Sequence, residues 1–367
     1  MINIVTVVGA RPQFVKAAVL SRLIRSERYA DTIKETLVHT GQHYDDNMSE
    51  VFFREMEITA PDVNLGAGSG SHGVATGRML AGIEEILLER KPDAILVYGD
   101  TNSTLAGALA AAKLHIPVAH VEAGLRSFMM AMPEEQNRRL TDHLSSWLFC
   151  PTSVAVRNLK AEGIEDAGRA PPTPDRKAVR MTGDIMLDAS NFYRGKVVPK
   201  AASLLKSLPK DFYLVTIHRA ENTDDPERLR AIVGAINAVK DKSAVLPVHP
   251  RTRKILEREG LAFKDHVHLL DPVGYFEMLA LEEACSFIVT DSGGVQKEAY
   301  FFKKPCITMR DSTEWVELVD AGWNTLVGAN REKIVQSIRS QEKPKDYPDL
   351  YGAGDAAERI LNALVSS

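Results

Sequence analysis

Short strand-like runs rich in β-branched residues alternate with longer helical segments along this chain, and the series occurs twice. The first series starts at INIVTVV and includes AILVYGD, VAHVEA, WLFCP and AVRMTGD. The second starts at FYLVTIHR and includes AVLPVHP, VHLLDPV, SFIVTDSGG and PCITMRD. Apolar strands that alternate with helices are typical of βαβ units, which build a parallel sheet. The pattern predicts an α/β protein with two Rossmann-like, doubly wound domains.

The first series ends near Gly183, and we place the domain boundary there. The predicted N-terminal domain covers residues 1–182, the C-terminal domain covers residues 183–352, and a final segment covers residues 353–367. A chain of 367 residues is long enough to give each domain its own core. Ligands bind at the carboxyl ends of strands in doubly wound sheets, so two facing domains predict a site in the cleft between them.

Composition and charge exclude several classes of protein. The chain carries 45 basic and 49 acidic side chains and is 44% hydrophobic, so nothing favours nucleic acid or a membrane surface as a partner. The apolar run at residues 2–8 is too short for a secretory core and leads into a glycine turn. No segment approaches the roughly 20 apolar residues of a membrane helix. The three cysteines, Cys150, Cys285 and Cys306, are widely spaced, which fits a reducing compartment. Together these features predict a cytoplasmic protein.

The segment SFIVTDSGGVQKEA, residues 286–299, has the pattern of a diphosphate site. An apolar strand ends at Asp291, and Ser292, Gly293 and Gly294 then open a helix whose free N–H groups can bind an anion. Glu298 lies about one helical turn further on and is placed to bind both ribose hydroxyls. The alternative is an ordinary strand-to-helix turn capped by the serine, and this segment alone does not distinguish the two.

The opening segment VVGARPQFVK repeats this arrangement with cations. A strand and a glycine turn precede Arg11, and Lys16 follows on the first turns of the predicted helix. An arginine fork and a lysine ammonium beside a helix N-terminus suit a pyrophosphate leaving group. The alternative is a pair of solvated surface cations. We favour the functional interpretation because Arg11 lies at the carboxyl end of the strand.

Three carboxylates follow strand ends or short turns: Asp100 in LVYGDTNST, Glu122 in VAHVEAGLRS and Glu134 in MPEEQNRR. A charged group directly after an apolar strand is costly unless it is paired or used. Each one alone could form an ion pair or cap a helix, and Asp100 before Thr101 is a candidate helix cap. Clustered carboxylates raise one another's pKa, which gives a site both an acid and a base near neutral pH.

Two histidines, His218 in LVTIHRAEN and His249 in VLPVHPRT, also follow predicted strands. His249 before a proline could simply end its strand, whereas His218 has neighbours suited to orient it. Because no histidines occur at metal-ligand spacing, we expect no required metal. GSGSHG at residues 68–73 matches a dinucleotide fingerprint, but the strand that should precede it is poor, so no NAD is implied.

Seven motifs occur in a fixed order over nearly the whole chain: GARPQFVK, VYGDTNSTLAG, HVEAGLRS, MPEEQNRRLTDH, TIHRAEN, VHPRT and TDSGGVQKEA. Together they resemble the non-hydrolysing UDP-N-acetylglucosamine 2-epimerases. The resemblance implies a glycosyltransferase-B-like fold, usually a homodimer, in which the last helix, here residues 355–364, crosses back onto the first domain. It also implies that UDP is eliminated to give a 2-acetamidoglucal and adds back after C2 is protonated on the opposite face.

The resemblance also assigns roles to residues of this sequence. It implies catalytic roles for Asp100, Glu122, Glu134 and His218. It implies substrate contacts for Arg11, Lys16, Arg138, His249, Ser292, Gly293, Gly294 and Glu298. The implied set contains no metal or cofactor, and the implied substrate is UDP-N-acetylglucosamine, converted to UDP-N-acetylmannosamine for surface polysaccharides.

Some residues depart from the common family sequence. Many members read Thr-Glu-Arg-Pro-Glu where this chain has Trp315 and Val316 in the middle, and Gln13 stands in place of a glutamate. Both departures resemble the branch that acts on UDP-2,3-diacetamido-2,3-dideoxyglucuronate, which is the alternative substrate. Tyr44 stands where bacterial members activated by their own substrate have arginine, so this control is not expected here.

Three other functions fit part of the sequence. A UDP-sugar glycosyltransferase of the same fold would need an acceptor and would not need three carboxylates. A hydrolysing epimerase would release free UDP. A non-catalytic UDP-sugar sensor would keep the turn at residues 292–298 but would gain nothing from mutually repelling carboxylates.

Overall fold

The computed structural model describes residues 1–41, 58–68, 70–168, 171–194 and 199–366, with only the backbone at residues 11, 199 and 200. Two compact units divide these residues. The first comprises Met1–Ala189 and Asp349–Ser367, and the second comprises Ser190–Pro348. The units therefore divide within several residues of the boundaries predicted at residues 182 and 352.

The first unit is built on a parallel sheet. Within the described residues its seven strands have the order β3-β2-β1-β4-β5-β6-β7. They are β1 (Ile2–Val8), β2 (Ile33–His39), β3 (Val63–Asn64), β4 (Ala94–Tyr98), β5 (Val118–Val121), β6 (Trp147–Cys150) and β7 (Ala178–Met181). The helices that connect or follow them are α1 (Arg11–Ile24), α2 (His72–Arg90), α3 (Asn102–Lys113), α4 (Pro133–Leu144), α5 (Ser153–Ala161) and α6 (Ile185–Arg194).

Helices cover the central strands of this sheet on both faces. All five residues of β4 are buried, which is why the strand reads as a continuous apolar run without alternation. The alanine-rich α3 packs closely on the sheet, and a Cβ at Gly107 would lie 3.1 Å from Val97 Cγ1. Small side chains on α3 therefore let the helix approach the strands that carry the functional residues at their ends.

The second unit repeats the architecture with six parallel strands in the order β10-β9-β8-β11-β12-β13 among the described residues. They are β8 (Tyr213–Thr216), β9 (Ala244–Pro247), β10 (Val267–Leu270), β11 (Ile288–Thr290), β12 (Cys306–Thr308) and β13 (Asn324–Leu326). Its helices are α7 (Pro199–Lys206), α8 (Ala220–Thr223), α9 (Pro226–Ala238), α10 (Pro250–Arg258), α11 (Tyr275–Ala284), α12 (Gly293–Phe301), α13 (Val316–Asp320) and α14 (Arg331–Arg339).

Both sheets have the strand order of doubly wound nucleotide-binding folds, with the first strand of each unit inside the sheet. The predicted fold class, α/β with two Rossmann-like domains, is confirmed. No helix in the described ranges combines the length and the apolar character needed to cross a bilayer.

The last helix, α15 (Ala356–Val365), belongs to the first unit and packs on α1. The hydroxyl of Tyr29 donates to Asn362 Oδ1 over 2.7 Å. The buried carboxylate of Asp188 accepts the N–H groups of Ala356 and Ala357 at 3.2 and 2.9 Å, at the start of the helix. These contacts fix the C-terminal segment to the unit that begins the chain.

Candidate active site

The carboxyl ends of β4 and β5 and the first turns of α1 and α4 bring five predicted residues together. The charges that act on Asp100 come from Arg138, Glu122, Lys16 and Glu134. The structure therefore places the three predicted carboxylates near one another at one edge of the first unit's sheet. Arg11 opens α1, but its side chain lies outside the described residues.

Glu122 lies directly after β5 and contacts the ammonium of Lys16 from α1. Both residues are buried. Glu122 has a φ of +71°, in the left-handed region that costs a side-chain-bearing residue about 1–3 kcal/mol. Gly99 leaves room for the pair, because a Cβ there would lie 3.2 Å from Glu122 Oε2 and 3.4 Å from Lys16 Nζ. The backbone is thus held in an unfavourable conformation that aims this carboxylate at the cluster.

Asp100 follows β4 and pairs with Arg138 of α4, whose Nη2 lies 2.6 Å from Asp100 Oδ2. The helix α3 is capped by Thr101, whose hydroxyl accepts the N–H of Thr104, so Asp100 is not the helix cap. Solvent reaches 34% of the Asp100 side chain. Desolvation raises the pKa of Asp100, helped by Glu122 and Glu134 and opposed by Arg138 and Lys16. The structure therefore offers a reachable carboxyl group that holds its proton more readily than usual.

The two glutamates of the MPEE motif differ in environment. Glu134 is half-buried and contributes to the cluster, whereas Glu135 is fully buried. Glu135 accepts the N–H of Ser127 at 2.8 Å and pairs with Arg138 at 2.9 Å. Burial alone would raise the pKa of Glu135, but hydrogen bonds from Ser127 and Arg139 outweigh it and lower the pKa. Glu135 therefore stays ionised, orients Arg138 and fixes the preceding loop.

A buried network that the sequence analysis missed lies beneath these residues. His120 of β5 lies 2.7 Å from Asp142 Oδ1 through Nδ1 and 2.8 Å from the carbonyl of Gly99 through Nε2. Asp142 of α4 also accepts the N–H of Gly124 at 3.1 Å and pairs with Arg126 at 2.7 Å. This network joins the segment before Asp100 to the segment after Glu122. The signal in the sequence is a histidine inside an apolar strand.

Gln13, one of the departures from the common family sequence, is 2% exposed and has a structural role. Its Oε1 accepts the N–H groups of Gly9 and Ala10, and its Nε2 donates to the carbonyl of Tyr98 at 2.8 Å and to Thr104. An ionised glutamate has no N–H to donate to that carbonyl. The amide therefore links the turn before α1 to the end of β4.

In the second unit, Asp291 at the end of β11 orients His218. The fully buried Asp291 carboxylate accepts the N–H of His218 at 3.1 Å and that of Arg219 at 3.0 Å, and it lies 3.4 Å from His218 Nδ1. Burial lowers the pKa of His218, Asp291 opposes this, and the neighbouring Arg219 and His249 add to the lowering. With 43% of its side chain exposed, His218 is a neutral, accessible imidazole at neutral pH.

His249 has a local structural role. Its Nδ1 accepts the N–H of Arg251 at 3.2 Å, so it caps α10, which begins at Pro250. The strand β9 ends two residues earlier, at Pro247. The side chain is exposed and interacts electrostatically with His218, so the cap lies beside the predicted catalytic histidine.

The predicted diphosphate turn opens α12. Ser292 caps this helix, since its hydroxyl accepts the N–H of Val295 at 3.4 Å, and Gly294 beside it is exposed. A side chain at Gly293 would require Glu314 to move, because a Cβ there would lie 2.5 Å from Glu314 Oε1. Trp315 is 4% exposed and donates from Nε1 to the carbonyl of Gly293 at 2.9 Å. The capping and anion-binding interpretations are compatible, since the cap uses a hydroxyl and leaves the first helical N–H groups available.

Three other expectations from the sequence concern a metal site, the GSGSHG segment and Tyr44. No three His, Cys, Asp or Glu side chains of the described residues are grouped in a way that would hold a metal ion. The GSGSHG segment leads into α2, which begins at His72 after only a two-residue strand at Val63–Asn64, and its Ser69 lies outside the described residues. Tyr44 also lies outside them.

Comparison with known proteins identifies the family. The family model described as UDP-N-acetylglucosamine 2-epimerase matches residues 26–365. UDP-2,3-diacetamido-2,3-dideoxy-D-glucuronate 2-epimerase of Pseudomonas aeruginosa is 53% identical over 99% of both chains.

Two solved structures agree with this assignment. The UDP-GlcNAc 2-epimerase of Methanocaldococcus jannaschii, in complex with UDP-GlcNAc and UDP, aligns over all of both chains with a TM-score of 0.87 and 41% identity. That of Neisseria meningitidis, bound to UDP-GlcNAc, aligns over all of both chains with a TM-score of 0.86 and 32% identity. The chain therefore belongs to the UDP-N-acetylglucosamine 2-epimerase family and is an epimerase that acts on a UDP-sugar.

Proposed function

We propose that this enzyme inverts C2 of a UDP-2-acetamido sugar by elimination and re-addition of UDP, without net hydrolysis. The observation that carries the proposal is the cluster of Asp100, Glu122 and Glu134 with Lys16 and Arg138. Proton transfer at a carbon needs a base and an acid, and a group of carboxylates in unequal environments provides both.

The reaction balances without a cofactor. In the first half, a base removes the C2 proton, the C–H electron pair forms the C1=C2 bond, and the C1–O bond breaks toward UDP. In the second half, a proton is delivered to C2 from the opposite face, and the UDP oxygen forms the C1–O bond again. No electrons are gained or lost, so the residues need only move protons and stabilise the departing diphosphate.

Asp100 and Glu122 are suited to opposite roles. The ammonium of Lys16 contacts Glu122 and favours its ionised, basic form. Asp100, whose pKa is raised by desolvation, is the better proton donor. We assign the base to Glu122 and the acid to Asp100 in the direction that starts from the gluco epimer. Glu134 lies on the first turn of α4, and its carboxylate stabilises positive charge that develops beside the same cluster during the reaction.

The second unit holds the nucleotide in this proposal. The turn of Ser292, Gly293 and Gly294 presents helix N–H groups to the diphosphate, and Glu298 accepts hydrogen bonds from the ribose hydroxyls. His218, kept neutral by burial and oriented by Asp291, donates to the departing phosphate oxygen. His249 contacts the substrate beside it, while Arg11 and Lys16 supply cations for the leaving group.

For the sugar, we propose UDP-2,3-diacetamido-2,3-dideoxyglucuronate, with UDP-N-acetylglucosamine as the second candidate. The 53% identity with the Pseudomonas aeruginosa enzyme supports the first, and the departures at Gln13 and Trp315 agree with it. The match to the family model and the 41% identity with the Methanocaldococcus jannaschii enzyme support the second.

We also propose a cytoplasmic homodimer. All three cysteines are buried free thiols, which fits a reducing compartment. A nucleotide-sugar substrate fits the same compartment. Size-exclusion chromatography with light scattering checks the dimer.

Proton NMR with each UDP-sugar in turn tests the function. We expect the manno epimer of the diacetamidoglucuronate to appear without free UDP or free sugar. Turnover of UDP-N-acetylglucosamine alone would make that sugar nucleotide the substrate in place of UDP-2,3-diacetamido-2,3-dideoxyglucuronate. Accumulation of free UDP in proportion to product would instead indicate a hydrolysing enzyme, and transfer to an acceptor without epimer would indicate a glycosyltransferase.

A further inference from the structure

Glu282 is a buried carboxyl group that the proposed reaction does not use. It lies on α11 and is fully buried, with 0% of its surface exposed. Among the described residues neither of its carboxyl oxygens has a hydrogen-bond partner. A buried polar group without a partner costs about 1–3 kcal/mol, so its presence next to a binding residue calls for a role.

The ionisable groups around Glu282 are acids. Glu298 of α12 lies beside it, and the carboxyl groups interact directly without the alignment of a good hydrogen bond. The phenol of Tyr275 and the thiols of Cys285 and Cys306 also lie close enough to interact electrostatically with it. In the described part of the chain no cation acts appreciably on Glu282.

These surroundings keep Glu282 protonated. Burial raises the pKa of Glu282 well above its usual value, and the neighbouring Glu298 raises it further. A carboxylic acid has one O–H to donate, and a carboxylate is the strongest acceptor within reach. Two ionised carboxylates side by side repel each other, and a proton shared between them removes that repulsion.

We propose that Glu282 is a positioning residue of the nucleotide site, a carboxylic acid that donates its proton to Glu298 and aims that carboxylate at the ribose hydroxyls. The inference rests on the ribose-binding role proposed above for Glu298. One oxygen of Glu298 accepts the proton of Glu282, and its remaining lone pairs accept the two hydroxyls of the ribose. UDP binding then completes a hydrogen-bonded chain that starts inside the core.

Two substitutions separate the donor function from packing. Glu282→Gln keeps a neutral side chain with an N–H donor, whereas Glu282→Met keeps the approximate size without any donor. Calorimetric titration of the full-length enzyme with UDP at neutral pH should give a Kd within about twofold of wild type for the glutamine variant. The methionine variant should bind about tenfold more weakly, the effect of losing one charge-assisted hydrogen bond.

The adjacent Glu283 provides a matched control. It is on the same helix, is partly exposed and pairs with Arg194 at 2.7 Å. Glu283→Gln makes the same chemical change at the surface and should leave UDP affinity unchanged. Tight UDP binding by a folded methionine variant would overturn the proposal, and so would equal losses in the glutamine and methionine variants.

Infrared spectroscopy tests the proton directly and needs no methionine variant. The difference spectrum of wild type minus Glu282→Gln at neutral pH should contain the carbonyl band of a protonated carboxylic acid, shifted when UDP is added. Its absence would overturn the proposal. Glu298→Gln tests the ribose role separately from the role of Glu282. Unchanged UDP affinity in this variant would refute the ribose role of Glu298. Weaker UDP binding in it, together with unchanged affinity in both Glu282 variants, would refute only the role of Glu282.

Discussion

Trp315 donates its indole N–H to the carbonyl of Gly293 over 2.9 Å, so a residue that departs from the common family sequence supports the backbone of the nucleotide turn. The ammonium of Lys297 lies 4.2 Å from the centre of the same ring. The side chain of Trp315 is buried, so it contacts the turn from the protein interior.

We expect Trp315→Phe to weaken UDP binding about threefold to tenfold, because the carbonyl of Gly293 loses its partner while the ring is kept. Trp323→Phe is the matched control, since Trp323 donates in the same way to the carbonyl of Asp346 at 2.9 Å. Both variants should lose about 1 kcal/mol of unfolding free energy, and only the first should change the Kd measured by calorimetry. Equal Kd values for both variants would remove the link between Trp315 and the turn.

The buried network under the carboxylates predicts a selective effect on turnover. Asp142→Asn weakens the contact that holds His120 against the carbonyl of Gly99. We expect kcat to fall about tenfold or more with KM within twofold, because the network positions Asp100 and Glu122 without holding the nucleotide. Asp166→Asn, at a surface pair with Arg180, is the control. An increase in KM without loss of kcat would contradict a positioning role.

Asp100→Asn removes the proposed acid while keeping its shape and its contact with Arg138. We expect kcat to fall by about 10²–10⁴, the usual contribution of a positioned acid or base, with UDP affinity within about twofold of wild type. Steady-state kinetics and UDP titration on the same preparation provide both numbers. A loss of UDP affinity as large as the loss of rate would place Asp100 in binding instead of catalysis.

Asp188, which accepts the first N–H groups of α15, predicts a pH dependence of stability. Burial raises its pKa to about 6 from a usual value of 3.8. Between these two values the folded state binds more protons than the unfolded state, so the contribution of Asp188 is fully present below about pH 4 and is lost by about pH 6 and above.

The raised pKa of Asp188 changes the free energy of unfolding by at most about 3 kcal/mol over this pH range. Melting temperatures of wild type and Asp188→Asn, compared from pH 4 to about 7, should show this decline only in wild type. Parallel curves would mean that Asp188 does not titrate with the raised pKa.

The sequence was sufficient for the two Rossmann-like domains, because the central strands of each sheet are short, largely apolar runs followed by a turn and a helix. It also located Asp100, Glu122 and Glu134 at strand ends or turns, where parallel topology brings them together. It could not decide whether Asp100 caps α3, since a neighbouring threonine has the same propensity and only the backbone shows that Thr101 does so.

Other residues were hidden for physical reasons. The contacts of His120 with Asp142, and those of Glu282 with Glu298, join side chains on different elements, and no local pattern records such pairing. Gln13 was seen only as a departure, because its role depends on the carbonyl of Tyr98, 85 residues away. No break in the local sequence pattern marks the first division between the compact units, because it falls inside α6, between Ala189 and Ser190.

The central claim is that UDP leaves and returns while C2 exchanges its proton. The most direct test is incubation of the enzyme in deuterated water with a UDP-sugar that carries ¹⁸O in the sugar–phosphate bridge, followed by NMR and mass spectrometry. We predict deuterium at C2 of the product and migration of the label from the bridging to the non-bridging positions of the diphosphate. Epimer formed with the bridging label in place and the original hydrogen retained at C2 would contradict the elimination, because neither of the bonds that elimination breaks would show cleavage.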